Sequence, residues 1–299
     1  MRYSVHHRTT YTYAHRVFQS YHLFHLSPRS VPHQVIESHR LTIAPEPGLQ
    51  WDGVDYFGNP FLVLNLEEEH DRLVVDSEAI IEVLDQPAPD LRATTPWDRI
   101  ARREIDRAFL LDKDIWQYVP ASSHGRHVLA IADYARASFP EGRPVLEAVS
   151  DLTRRIFTEF TFDPSATDIS TPVEQVLERR RGVCQDFAHL QIAALRSLGL
   201  PARYVSGYIL THPPAGQPKL QGADASHAWI STWAPETGWV DFDPTNNVIP
   251  HGEHITVACG RDYDDVSPIS GVLLGGGAHT VAVAVDVNPL TNGGPAGDD

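Results

Sequence analysis

The segment Arg179-Arg180-Arg181-Gly182-Val183-Cys184-Gln185-Asp186-Phe187-Ala188-His189-Leu190 holds one of only two cysteines in 299 residues, where loop chemistry gives way to helical periodicity. From Cys184 onward, Ala188, Gln191, Ile192, Leu195 and Leu198 recur at three- and four-residue intervals. Gly199 suits a C-cap and Pro201 blocks continuation. The spacing predicts a helix over 184–198 with Cys184 in its first turn. There the positive end of the helix dipole and the upstream arginines both favour thiolate over thiol. Gly182 is expected to let the backbone bend tightly just ahead of it. A thiol so placed constrains the rest of the chain, because a proton acceptor must come from another element and a further group must orient it.

Both are supplied downstream. The run 226–233 alternates in the β manner, so His227, Trp229 and Ser231 share one face and Ala228, Ile230 and Thr232 the other. After the turn Pro235-Glu236-Thr237-Gly238, the run 239–245 reads as a second strand of a hairpin, bringing Asp243 or Asp241 within reach of His227. Residues two apart on a strand share a face, so alternation alone leaves both acids open. His189 is a rival acceptor, but five residues along a helix it is rotated by roughly 140° from Cys184. Core packing or helix capping is its expected role.

Taken together, Gly182-Val183-Cys184-Gln185-Asp186-Phe187-Ala188, His227-Ala228-Trp229 and Gly238-Trp239-Val240-Asp241-Phe242-Asp243-Pro244-Thr245 resemble the transglutaminase-like cysteine enzymes of the papain-like class, in that family's order and at similar separations. The resemblance implies Cys184 as nucleophile, His227 as general base and acid, and Asp243, the aspartate directly before Pro244, as the orienting acid. The amino-terminal segment and the ending from His254 through His279 also look like the bacterial branch, which carries its own amino-terminal β domain. The implied chemistry is acyl transfer through a thioester, which water resolves to hydrolysis and an amine to cross-linking. Gln185 stands where animal transglutaminases have tryptophan, and no carboxylate-rich loop shows calcium spacing. The expectation is therefore a cysteine protease hydrolysing peptide or isopeptide amides, with a protein-glutamine transglutaminase or deamidase as the alternative. A non-catalytic binding module and a metalloenzyme are the readings from other classes.

The fold expected is α+β. Residues 1–85 read as short alternating runs (3–7, 11–13, 40–43, 61–66, 73–83) separated by turns such as Pro45-Glu46-Pro47-Gly48, a β-sandwich or open barrel. Residues 86–120 read as linker and short helices, and 121–290 as the transglutaminase-like core with carboxy-terminal strands. Its helices are expected over 125–138, 144–160 and 172–180, the last capped by Thr171 with Glu174 in a capping box. A catalytic helix then packs on an antiparallel sheet. The Gly275-Gly276-Gly277 turn lacks the lysine and helix of a phosphate loop. The tail 291–299 is expected to be disordered.

Acidic residues outnumber basic ones 39 to 24, a formal charge of −15, which disfavours nucleic acid and anionic membrane as partners and leaves a peptide or protein substrate. No apolar run is long enough to span a bilayer and the start lacks a signal-peptide core, so a cytoplasmic location is expected. Two cysteines build no disulfide framework, and Cys259, in an apolar run, is expected to be structural. Seven histidines fall within the first 39 residues without a cysteine or carboxylate grouping, so they are expected at surfaces or interfaces and no metal or cofactor is assigned. Trp229, Gln185 and Asp224 are the candidate substrate contacts, with the loop 211–224 as a rim or lid beside the base. The chain does not disclose its oligomeric state.

Overall fold

The computed structural model describes residues 1–212 and 225–290. The amino-terminal unit is a curled antiparallel sheet built around one strand, β1 (Arg2–Phe24). The 3–7 and 11–13 runs are parts of this single element. Its inward residues are odd-numbered from Tyr3 to Val17 and even-numbered from Ser20 to Phe24, because a bulge between Val17 and Gln19 shifts the register. A one-residue slip exchanges the faces of a strand, which hides its continuity from a period-2 reading.

The first half of β1 lies between β5 (His70–Val83) and β13 (His279–Leu290), and the second half between β4 (Pro60–Leu66) and β12 (Ile269–Gly275). β2 (Gln34–Ala44) extends the first arm and β3 (Leu49–Val54), absent from the sequence reading, the second. Tyr13, Val17, Phe24, Leu64, Leu66, Leu73 and Val75 fill the fold between the arms, an open barrel. The carboxy-terminal segment 269–290, expected with the catalytic core, thus hydrogen-bonds to β1. Gly275, Gly276 and Gly277 all take positive φ and turn the β12–β13 hairpin over residues 14–16 of β1.

The second unit begins with three short helices, α1 (Trp97–Ala101), α2 (Arg107–Leu110) and α3 (Lys113–Trp116), followed by α4 (Leu129–Arg136) and α5 (Val145–Glu159). The strand β6 (Thr161–Phe162) then leads to α6 (Val173–Arg179), β7 (Arg181–Gly182) and α7 (Cys184–Ser197). Thr171 does not cap α6. The cap position is Pro172, and the Thr171 hydroxyl is engaged with Asp168, whose carboxylate also takes Ser170, so a local turn outcompetes the capping box.

Every residue of α7 from Asp186 to Arg196 is buried, as in a helix surrounded by protein on all sides. One side packs on the antiparallel sheet β10-β9-β8-β11, formed by β8 (Ala202–Ile209), β9 (Ala225–Ala234), β10 (Gly238–Phe242) and β11 (His254–Gly260). The other side packs on α4, α5 and α6. One continuous core runs from Leu152, Ile156, Leu190 and Ile230 into Tyr3, Val5, Ile81 and Val285 of the β unit.

Two amide side chains join the units along β11, the edge of the second sheet. Gln34 donates to Thr256 O at 2.8 Å and accepts from Thr256 N at 2.9 Å, and Asn59 treats the backbone of Cys259 the same way at 2.8 Å and 2.8 Å. An exposed strand edge leaves backbone groups unpaired; here two side chains satisfy them.

Candidate active site

Cys184, half-buried, opens α7. Asp186 sets that helix start: its buried carboxylate accepts from Val183 N at 2.8 Å and Thr167 Oγ1 at 2.6 Å. Burial pushes the Asp186 carboxyl up, against these two hydrogen bonds. Gly182 serves a different purpose from the one expected. The left-handed residue ahead of the thiol is Arg180 (φ 56°), and a Cβ on Gly182 would lie 2.7 Å from Asp186 Oδ2. The glycine makes room for the helix-starting carboxylate.

His227 projects from β9 opposite Gly207 of β8. A Cβ at position 207 would stand 2.1 Å from Ile255 O and 2.5 Å from the Trp229 ring, so only glycine admits both the neighbouring strand and that ring. Between β9 and β10, Asp241 pairs with Ser231, and its carboxylate accepts Trp229 Nε1–H at 2.9 Å. The chain leaves β10 after Phe242. Asp243, fully buried, turns inward to accept from His227 Nε2 at 2.8 Å.

Five donors converge on Asp243. Thr245 N (2.8 Å) and Asn246 N (3.2 Å) reach Oδ1; His227 Nε2, Asn246 Nδ2 (2.7 Å) and His254 Nε2 (3.1 Å) reach Oδ2. Asp243 takes the Nε2 side of His227, and Cys184 borders the same cavity as the imidazole. Burial works against an imidazolium here, but the hydrogen bonds and charges of Asp243 and Cys184 outweigh it and push His227 up to about 10. Burial likewise opposes ionisation of Asp243, and its bonds from His227, His254 and Asn246 hold it well below the usual carboxylate range. The shared proton therefore sits on His227.

Cys184, Gln185 and His227 open onto a cavity of about 290 Å³. The β unit forms its far wall, with Thr9 and Tyr11 from β1 and Val281 and Val283 from β13. Trp229, expected on this wall, is fully buried and lines a larger cavity of about 870 Å³ that His254 also borders. Its ring lies over Gly207, which draws it away from the thiol. Asp224 lies outside the described residues, as does most of the loop 211–224. His189 is turned away from Cys184: it stacks on His124 (centroids 4.8 Å apart) and accepts Tyr263 N–H at 3.2 Å. Cys259 is buried beside Val205 and Trp229, and burial pushes its thiol up.

Among the described residues, His227 Nε2, His254 Nε2 and an Asp243 oxygen lie within 4.8 Å of one another, a set with metal-ligand chemistry. The contacts to Oδ2, at 2.8 and 3.1 Å, are N–H···O distances. Tetrahedral zinc with bonds of about 2.0–2.1 Å would hold its ligand atoms about 3.3 Å apart. Asn246 Nδ2–H also donates to Oδ2 at 2.7 Å, beside the two imidazoles. The cluster is satisfied as a hydrogen-bond network. Sequence reasoning missed Gly207, Asn246 and His254; the only signal for the last was its place in the carboxy-terminal segment resembling the bacterial family.

Residues 131–244 match the transglutaminase-like superfamily and residues 3–82 the bacterial transglutaminase-like N-terminal region. An uncharacterized protein of Mycobacterium tuberculosis is 39% identical over 97% of this chain and 93% of its own length. The chain belongs to the transglutaminase-like superfamily. A protein-glutamine gamma-glutamyltransferase of Pseudomonas aeruginosa is 31% identical over 45% of this chain and 20% of its own length. The crystal structure of a Cytophaga hutchinsonii protein provisionally named a cysteine protease superposes with a TM-score of 0.76 at 22% identity, covering 100% of this chain and 94% of that one. This superfamily member therefore shares the fold of that protein across both of its units.

Proposed function

We propose that the chain is a cysteine-dependent acyltransferase that hydrolyses amide bonds in peptides or proteins, with Cys184 as nucleophile, His227 as base and acid, and Asp243 as the orienting carboxylate. The observation that carries this reading is the convergence of three elements: a thiol at a helix start, an imidazole bordering the same cavity, and a buried carboxylate hydrogen-bonded to that imidazole. Sγ attacks the amide carbon and the oxyanion is met by the Cys184 N–H at the start of α7. His227 Nδ1 gives its proton to the departing nitrogen, the C–N bond breaks, and a thioester remains. His227 then takes a proton from water, the hydroxide adds to the thioester, and the acid and free thiol are released.

Hydrolysis is preferred to transamidation because Gln185 replaces the tryptophan that follows the nucleophile in animal transglutaminases. The 31% identity to the Pseudomonas transferase favours a second reading, in which a primary amine resolves the thioester. The two free thiols suit a reducing compartment, and we place the protein in the cytoplasm on that ground. Incubating wild type and Cys184→Ala with a glutamine- and lysine-containing peptide library, with and without a primary amine, tests the proposal by mass spectrometry. Cleavage dependent on Cys184 supports it, amine-adducted glutamine moves the assignment to a transglutaminase, and identical spectra from both proteins overturn it.

A further inference from the structure

We propose that His254 is a positioning residue for the Cys184–His227–Asp243 site: a neutral imidazole that donates Nε2–H to Asp243 Oδ2 and so limits how tightly the carboxylate holds the His227 proton. The inference rests on the roles proposed for Cys184 and His227 and assigns a fourth member to that site. His254 is the first residue of β11, opposite Ile209 of β8, and is 6% exposed. Its Nε2 lies 3.1 Å from the same oxygen that His227 approaches at 2.8 Å, and its ring packs edge-on against Trp229 at 5.2 Å. Among the described residues its buried Nδ1 has no hydrogen-bond partner. An imidazolium would bury an unpaired N–H⁺ at that atom, whereas a neutral ring leaves only a lone pair there. The Nε2–H tautomer is therefore the one that fits.

The consequence is chemical. Asp243 is an acceptor shared between two rings, and each donor that stabilises the carboxylate lowers its basicity toward the others. The groups facing this network are Cys184 from α7, His227 from β9, Asp243 with Asn246 after β10, and His254 from β11; Asp241 is occupied by Trp229. Without His254 the carboxylate concentrates its charge on His227. The imidazolium becomes a weaker acid, less able to protonate a departing amine while the Sγ–C bond forms and the C–N bond breaks. The larger cavity beyond His254 also carries His33, Asp85 and His251 on its wall, and among the described residues none of these hydrogen-bonds to the ring or to Asp243.

The test is NMR of histidine-labelled protein, which needs no substrate. In the wild type the His254 ¹⁵N shifts should report Nε2–H and a bare Nδ1; an Nδ1–H tautomer overturns the proposal without any substitution. His254→Leu should raise the His227 titration by about one pH unit, roughly tenfold in proton affinity, and His254→Gln, which restores a donor, should reverse most of that rise. The pH dependence of iodoacetamide labelling at Cys184 should move in the same direction as the His227 titration in His254→Leu. A His227 titration that stays unchanged or falls in the leucine variant overturns the inference. So does a stoichiometric zinc ion bound by wild type and lost in His254→Gln. Absence of peptide hydrolysis with an intact His227–His254 linkage would instead refute the proposed reaction alone.

Discussion

Asp243→Asn is the substitution that separates this site from an incidental polar cluster. The carboxylate receives five hydrogen bonds, two at Oδ1 from backbone N–H groups and three at Oδ2 from His227, His254 and Asn246. An amide has one acceptor oxygen, so in either orientation its NH₂ faces donors. Placed toward Oδ2 it opposes three side chains; placed toward Oδ1 it opposes two backbone groups that cannot turn away. Leaving donors unpaired at a fully buried position, together with loss of the counter-charge to His227, should cost about 3–5 kcal/mol of stability. Rate should fall about 10³- to 10⁴-fold, the scale reported when a triad aspartate is neutralised. Asp241→Asn is the control. That residue accepts one bond, from Trp229 Nε1, and asparagine can still accept it, so the cost should stay below about 1 kcal/mol. Urea unfolding and initial rates of peptide cleavage on the two variants decide the matter. Equal losses, or an Asp243→Asn enzyme retaining a tenth of wild-type activity, would refute the reasoning.

Four further outcomes follow from the geometry. Cys184→Ala should abolish cleavage and iodoacetamide labelling at this position while moving the urea midpoint by less than about 1 kcal/mol, since a half-buried thiol at a helix start contributes little packing. The His227 value is raised, so its contribution to stability is complete below the ordinary imidazole range and disappears as pH climbs through about 10; the Asp243 value is depressed, so its contribution is complete above the ordinary carboxylate range and lost only in stronger acid. Unfolding free energies measured across pH should accordingly show the gap between wild type and Asp243→Asn widest between the ordinary carboxylate and imidazole ranges, narrowing as pH rises from the imidazole range and closed to its pH-independent part by about 10. Gly207→Ala, which drives a methyl into Ile255 O and the Trp229 ring, should cost about 3 kcal/mol or more by urea titration. Val283→Asp, on the exposed cavity wall, should raise KM for an apolar peptide while leaving Cys184 alkylation unchanged.

What the sequence disclosed here is what local chemistry determines. The helix predicted over 184–198 is observed as Cys184–Ser197, because caps, proline stops and periodicity act over one or two turns. The hairpin of β9 and β10 was equally legible, but the choice of Asp243 over Asp241 came from the family resemblance and not from alternation. Alternation puts the two acids on one face, and in the structure the end of β10 at Phe242, with Asp243 bridged to Val248, separates them. His254 was out of reach for a related reason. Its role depends on β11 pairing with β8, and nothing within a few residues of position 254 encodes that partner. The same limit divided β1 into two runs, since the bulge at Val17–Gln19 breaks alternation and the strands that reveal its continuity come from positions 60–83 and 269–290.

Those long-range pairings also explain why the β unit is more than an appendage. Val281 and Val283 of β13 and Tyr11 of β1 stand across the cavity from Cys184, so the substrate's surroundings are shared between the two units. The same unit braces the site from behind. Gln34 and Asn59 clamp the backbone of β11 at Thr256 and Cys259, and β11 begins with the His254 that reaches Asp243. A buried amide making two backbone bonds resists displacement, because sliding β11 would strand both partners without water to replace them. The edge strand is thereby held in the register that keeps His254 at hydrogen-bonding distance, and Gly207 lets that strand approach closely enough for the contact to form. The position of the Asp243 carboxylate is thus determined jointly, by the turn after β10 on one side and by an amino-terminal sheet more than 200 residues away in sequence on the other.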